Sequence, residues 1–273
     1  MAPRLPLELV ERIIDDVAEY DDNHIDKFSS IKACALVCHY FLPLCRKYIF
    51  ASVILNTAQR LSPPTSDDLN HLLSNSPHLA VYIRKLDYNV DKEEFVAERF
   101  IWLLPMFKKL IKLQKLSIIS MRSGSGKLDW MSSSERNVLL PLLHLPTLTS
   151  ISLSSIRNFP FADLANCVNL KKLRIQYLEC STPNGAGKFL EALSPTPVML
   201  ERLTIEAGID PVQHLCHARR PDGIPIIDFS TLKEIKSRDV LLCSMTELFG
   251  MCKNLQKVSF DSMSLPHLVT SFN

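Results

Sequence analysis

"LKKLRIQ", residues 170–176, places Leu170, Leu173 and Ile175 in the order apolar-x-x-apolar-x-apolar, with lysine, arginine and glutamine around them. Two apolar residues two apart, flanked by polar ones, mark a strand buried on one face, so Lys172, Arg174 and Gln176 share the opposite face. The string recurs as "IRKLDYN" at 83, "LQKLSII" at 113, "LTSISLS" at 148, "LERLTIE" at 200, "LKEIKSR" at 232 and "LQKVSFD" at 255. Only "LKEIKSR" departs, with Ser237 in the last apolar place. From Leu86 through Leu116, Ile151, Leu173, Leu203 and Ile235 to Val258, the copies follow one another at intervals of 22 to 35 residues. Two lead-ins nearly coincide: "NCVNLKKL" from Asn166 and "MCKNLQKV" from Met251 share Cys, Asn, Leu and Lys at matching places, which points to internal duplication.

Working outward, the segments between the copies carry helical signals: "SDDLNHLLSN" with Ser66 as cap, "EEFVAERFIWLLPMFKKLIK", "SSSERNVLLPLLHL", "NGAGKFLEALS" and "LLCSMTELFGMC". A helix that returns the chain to the next parallel strand, repeated, predicts an α/β solenoid with a parallel inner sheet and helices outside. Such a stack needs both ends covered, and Leu265, Leu268 and Val269 are expected to fold back over the last strand or to leave an end that self-associates.

The first 50 residues read differently. In "LPLELVERIIDD", Pro6 opens a helix where its missing N–H has no partner to lose, and Glu8 lies where the helix dipole favours a carboxylate. Leu9, Val10, Ile13, Ile14 and Val17 then recur at helical spacing. "EYDDNHIDKFSS" reads as a loop ending in a cap at Ser29 or Ser30. A second helix follows with the stripe Ile31, Cys34, Ala35, Cys38, Phe41 and Leu42; Pro43 breaks or kinks it, "LCRKYIF" makes a third, and "ASVIL" is extended. Leu36 and Val37 lie off the stripe, giving the bundle more apolar surface than three short helices can cover among themselves.

The chain has 273 residues, 47% of them hydrophobic, enough to bury a substantial core. Its 31 basic and 29 acidic residues are dispersed, so neither nucleic acid nor an anionic membrane is an expected partner. The N-terminus lacks a signal-peptide pattern and "FIWLLPMF" is far too short to span a bilayer, so a cytoplasmic or nuclear location is expected. Eight cysteines, some on apolar stripes, are read as free thiols.

Two family resemblances follow from these strings. The repeats from about 79 to 273 resemble the longer, irregular form of the leucine-rich repeat. "LPLELVERIIDDV…FSSIKACALVCHYFLPLCRKYIF", over about 4–50, resembles an F-box, with Tyr40 and Phe41 where a tryptophan commonly follows "VC". Together with "SNSPHLAVYIRKLDY" and "FASVILNT", the chain is similar to the large fungal group of F-box proteins with leucine-rich repeats. The resemblance implies an F-box helical unit over 1–50 and a repeat solenoid over 51–273. It also implies a non-enzymatic substrate adaptor for ubiquitin-dependent degradation. The F-box would dock a Skp-type linker, and through it a cullin, by Leu5, Pro6, Leu9, Val10, Ile13, Leu36 and Val37. The repeats would hold the substrate. The alternative from another class is a repeat scaffold without ligase coupling, its helical unit serving only as an N-terminal cap.

No catalytic or cofactor motif competes with this reading. "SGSGK" (123–127) has Met121 and Leu128 where a phosphate loop needs glycine and Ser or Thr, and "NGAGK" fails likewise. "HLCH", with His214, Cys216 and His217, offers an incomplete ligand set, and no nucleophile stands in a local motif of the kind a hydrolase would show. One electrostatic pattern remains. Lys85, Lys115, Ser150, Lys172, Arg202, Glu234 and Lys257 occupy one outward position of the repeat, and Asp87, Ser117, Ser152, Arg174, Thr204, Lys236 and Ser259 the next. Lys115, Lys172, Arg174, Arg202, Lys236 and Lys257 are therefore the candidate substrate contacts, for an acidic or phosphorylated protein.

Overall fold

The computed structural model describes residues 6–22, 28–56, 66–90, 103–121, 126–180, 195–206, 210–238 and 242–261. Its centre is an eight-stranded, wholly parallel sheet in chain order: β1 (Ser52–Asn56), β2 (Lys85–Val90), β3 (Lys115–Ser120), β5 (Ser150–Ser154), β7 (Lys172–Gln176), β9 (Arg202–Glu206), β11 (Glu234–Arg238) and β12 (Lys257–Asp261). All seven strings become strands. The eighth strand, β1, carries the same motif as Phe50, Val53 and Leu55, so "ASVIL" is the first strand of the repeat body.

Each copy folds this way because its apolar residues go to one core. Leu86 and Tyr88, Leu116 and Ile118, Ile151 and Leu153, Leu173 and Ile175, and Leu203 and Ile205 are all buried, as are the leading Ile83, Leu113, Leu148, Leu170, Leu200 and Leu232. Ahead of each strand a backbone N–H donates to the equivalent carbonyl one repeat earlier, as in Gln114 to Arg84 at 2.8 Å and Lys171 to Thr149 at 2.9 Å. Side chains add a second tie from the position before the leading leucine. Thr147 Oγ1 donates to the Leu113 carbonyl at 2.7 Å, Asn169 Nδ2 to Pro146 at 2.7 Å, Thr231 Oγ1 to Leu200 at 2.9 Å and Asn254 Nδ2 to Ser230 at 2.7 Å. The near-identity of "NCVNLKKL" and "MCKNLQKV" thus has a physical reason. In both, asparagine satisfies a neighbouring carbonyl and cysteine reaches a helix-end carbonyl, Cys167 Sγ to Leu143 and Cys252 Sγ to Leu248, each at 3.1 Å.

Helices α4 (Ser66–Asn75), α5 (Ser134–Leu143), α6 (Asp210–His217) and α7 (Leu242–Met251), with helical residues at 103–107, contribute Leu69, Leu73, Met106, Phe107, Leu139, Leu143, Val212, Leu215, Met245 and Leu248 to the same core. "NGAGKFLEALS" and Leu265, Leu268 and Val269 lie outside the described residues. Two short parallel pairs, β4 (Leu128–Asp129) with β6 (Ile156–Arg157) and β8 (Val198–Met199) with β10 (Ile227–Asp228), supplement the large sheet. Beside β4, the Trp130 indole donates to Asp163 at 2.7 Å, and Arg136 clamps the same carboxylate through Nε and Nη2 at 2.9 and 2.8 Å. The ion pair raises the Arg136 pKa further, its hydrogen bond to Asp163 outweighing the cost of burial. At β12 the pattern changes. Val258 and Phe260 hold the inward places but are 40% and 49% exposed.

The N-terminal helices are α1 (Leu7–Asp22), α2 (Ser29–Val37) and α3 (Phe41–Ile49), around a small separate core of Ile14, Ala18, Ile31 and Cys45. Details differ from expectation. Pro6 lies just outside α1, its carbonyl accepting from Leu9 and Val10 at 3.1 and 3.2 Å, and α1 runs through Glu19 to Asp22, residues the sequence reads as loop. Phe28, not a serine, precedes α2, with a left-handed backbone (φ 69°) held by packing on the small core. The second helix ends at Val37 because Cys38 is extended, and Pro43 neither breaks nor kinks it. Pro43 occupies the first turn of α3, where a missing N–H costs nothing.

Candidate functional site

Two surfaces carry the candidate residues. On the helical unit, Leu5 lies outside the described residues, Pro6 is exposed and Val10 is half-buried. Leu9 and Ile13 are about half exposed, while Leu36 and Val37 are 87% and 70% exposed. The stripe of α1 is therefore split: Ile14 and Ala18 close the core while Leu9 and Ile13 face solvent. Leu7 and Tyr40, which the sequence did not place among the linker contacts, are exposed as well. Tyr40 follows the extended Cys38, and this break, absent from the helical period, is what turns it outward. Asp15 on α1 accepts hydrogen bonds from Lys47, at 2.8 Å, and from the Tyr48 hydroxyl on α3. These bonds hold its carboxyl below the ordinary range and fix the two helices together.

The second surface is the open face of the sheet. Strand register joins Lys85, Lys115, Ser150, Lys172, Arg202, Glu234 and Lys257 into one continuous row, and Asp87, Ser117, Ser152, Arg174, Thr204, Lys236 and Ser259 into the next. The six candidate cations do share this face, but most are compensated. Arg174 pairs with Glu206 at 2.6 Å and Arg202 with Glu234 at 2.5 Å. Lys236 and Lys257 also approach Glu234, at 3.6 and 3.9 Å. Glu206 lies in a third row, after the motif's last apolar residue, and the two-row reading overlooked it. Lys115 and Lys172 have no carboxylate within ion-pair distance among the described residues. A cavity of about 300 Å³ opens between them, lined from β2, β3, β5, β7 and β9, so the face is hollow at this point.

The other motifs resolve into packing. Cys216 is buried, its thiol pushed up to about 12 chiefly by burial, while His217 bonds to the Gln213 carbonyl at 2.9 Å and to Glu247 at 3.1 Å. Among the described residues no three His, Cys, Asp or Glu side chains converge as a metal set. Lys127 of "SGSGK" pairs with Glu179 at 2.5 Å. Cys34 lies in α2 and Cys38 beyond its end, so they do not form a chelating pair one helical turn apart. The described cysteines are free. No described helix is long and apolar enough to cross a membrane. No protein-family model matches the chain, and no curated protein matches it significantly.

Proposed function

We propose that the chain is a non-enzymatic substrate receptor in which the N-terminal helices dock a Skp-type linker of a cullin-RING ubiquitin ligase and the open face of the sheet holds the protein to be modified. One observation carries the reading. The helical unit closes its own core with Ile14, Ala18, Ile31 and Cys45 yet leaves Leu9, Ile13, Leu36 and Val37 exposed. Exposed aliphatic side chains on so small a unit favour a protein partner. In the F-box resemblance these are the linker-binding places.

A second reading, the helical unit as a cap without ligase coupling, is favoured by a different observation. Phe50, directly after α3, packs on the large core beside β1, and Arg46 of α3 meets His78 at 3.4 Å. Co-purification of the full chain with a Skp-type protein separates the two. Ile13→Asp and Leu36→Asp should each abolish capture with an unchanged melting temperature, because a carboxylate in an apolar interface costs several kcal/mol, on the order of 2–5. Wild-type protein that captures no linker, or variants that bind as well as wild type, would leave the cap reading standing.

A further inference from the structure

We propose that β12 is a homodimer interface: two copies of the chain join β12 to β12, antiparallel about a twofold axis at Ser259, and make one sheet of their two. The inference goes beyond the receptor reading and does not rest on it.

The last copy of the motif is the one whose apolar residues stay unfinished. In the two copies before it, Leu200, Leu203, Ile205, Leu232 and Ile235 are wholly buried. In the last, Leu255 is half-buried, and Val258 and Phe260 in the inward places are 40% and 49% exposed. The opposite edge of the sheet differs, because β1 keeps Leu55 wholly buried and Phe50 packs on the large core. Among the described residues β12 pairs with β11 alone, and its register with β11 runs unbroken from Lys257 to Asp261. Exposed edges are ordinarily blunted by a proline, a bulge or an inward-pointing charge, and "KVSFD" has none of these.

The strand is its own complement. Lys257 donates its backbone N–H to the Lys233 carbonyl at 3.0 Å, so this residue faces β11. Backbone direction alternates along a parallel strand, so Ser259 faces β11 as well, while Val258 and Phe260 turn their N–H and C=O groups to the outer edge. An antiparallel mate centred on Ser259 sets Val258 opposite Phe260 of the second copy, and Phe260 opposite its Val258. In each pair those outward groups exchange both of their hydrogen bonds. Residues directly opposite each other share a face, so the half-exposed Val258 and Phe260 side chains of both copies close over the seam and carry the core across it.

Charge agrees with the same register. It puts Lys257 opposite Asp261 on the open face, residues of opposite charge. Within its own chain Lys257 reaches Glu234 only at 3.9 Å, and Arg202 already holds that carboxylate at 2.5 Å. Sliding the mate by two residues keeps the backbone in phase but sets Phe260 opposite Gln256 and Lys257 opposite Ser259, losing both matches. An unrelated strand has no reason to supply this mirror order, and a second copy supplies it by symmetry. One strand edge from each copy is a small interface, so the dissociation constant should be on the order of 10 µM.

The test is sedimentation of the full chain together with oxidative cross-linking. Wild type should be dimeric at about 100 µM and monomeric at about 1 µM. Val258→Lys and Phe260→Lys should each raise the dissociation constant about a hundredfold, with melting temperatures at about 1 µM equal to that of wild type. Cross-linking reports the register without disturbing the seam. In the proposed pairing the two Ser259 Cα atoms lie about 4.5 Å apart, inside the span of about 4.4–6.8 Å that a disulfide bridges. Ser259→Cys should therefore give a covalent dimer under mild oxidant. Lys257→Cys, whose two copies lie about 13 Å apart along the strands, should give no more than wild type. A chain that stays monomeric at about 100 µM would overturn the proposal and leave the end to residues 262–273 of the same chain. So would a dimer indifferent to both lysine substitutions, equal cross-linking at positions 257 and 259, or species that keep growing with concentration, as when β12 adds to β1 of the next copy. Linker capture is scored separately on the monomeric variants, and its presence or absence leaves the dimer result standing.

Discussion

The helical unit and the sheet body solve the same problem in opposite ways. In the body, each strand of the large sheet from β2 to β9 turns both of its inward residues into one continuous core, and exposed apolar side chains such as Ile111, Met121 and Met199 stand singly along the chain. Among the described residues of the helical unit only four are buried, while aliphatic side chains on α1 and at the end of α2 face outward. An element that buries its whole apolar stripe has no surface left for a partner. One that splits the stripe holds itself together weakly and keeps binding surface in reserve.

This contrast can be broken most forcefully inside the body. Asp163 is 7% exposed and joins Trp130 and Arg136 in a polar clasp beside the large core. Asp163→Ala should cost about 3–5 kcal/mol in urea unfolding, because it strands a guanidinium and an indole N–H. A loss under about 1 kcal/mol would mean that water replaces the carboxylate and that the clasp is peripheral. Next in size is a paired comparison within α2. Ile31→Ala, at a wholly buried site, should cost about 2–4 kcal/mol, and Leu36→Ala, although it removes as much side chain, less than about 0.5 kcal/mol. Similar costs at both positions would place Leu36 in a contact that unites the helices.

The Asp15 tie is smaller. Both the aspartate and Lys47 are substantially exposed, so Asp15→Asn should cost less than about 1 kcal/mol at neutral pH. Lys47 and then Tyr48 lower the aspartate pKa in the folded state, so its stabilisation is present above the unfolded value near 3.8 and disappears as pH falls through the lowered folded value. Unfolding curves of wild type and Asp15→Asn should therefore converge below about pH 4. The smallest effect expected is a gain. Ser237 occupies an inward position of β11, and its buried hydroxyl has no hydrogen-bond partner among the described residues. Ser237→Ala should stabilise by up to about 1 kcal/mol, measured as a raised urea midpoint at constant slope.

Strands were legible because a period of two survives in any copy of the motif, and even the deviant Ser237 keeps its place in register. β1 reads from the sequence only as an extended segment, not as a copy of the motif, because Phe50 stands where the other copies have leucine or isoleucine. Helix ends were misread wherever backbone conformation decided them: the extended Cys38 and the left-handed Phe28 leave no trace in apolar spacing. The rows of cations could be written down from the strings alone. Which cations are free could not, because Glu206 and Glu234 act across strands, and pairing depends on reach between neighbours.

The stacking of the sheet also sets how the molecule would yield to force. Each strand is held to its neighbours by one ladder and one turn tie, and no strand crosses another, so tension applied at the β1 and β12 ends peels strands singly instead of shearing the sheet as a block. Release of one copy frees 22 to 35 residues, a lengthening on the order of 100 Å per step. β12, with its inward side chains half exposed, has the least packing to resist and gives way first.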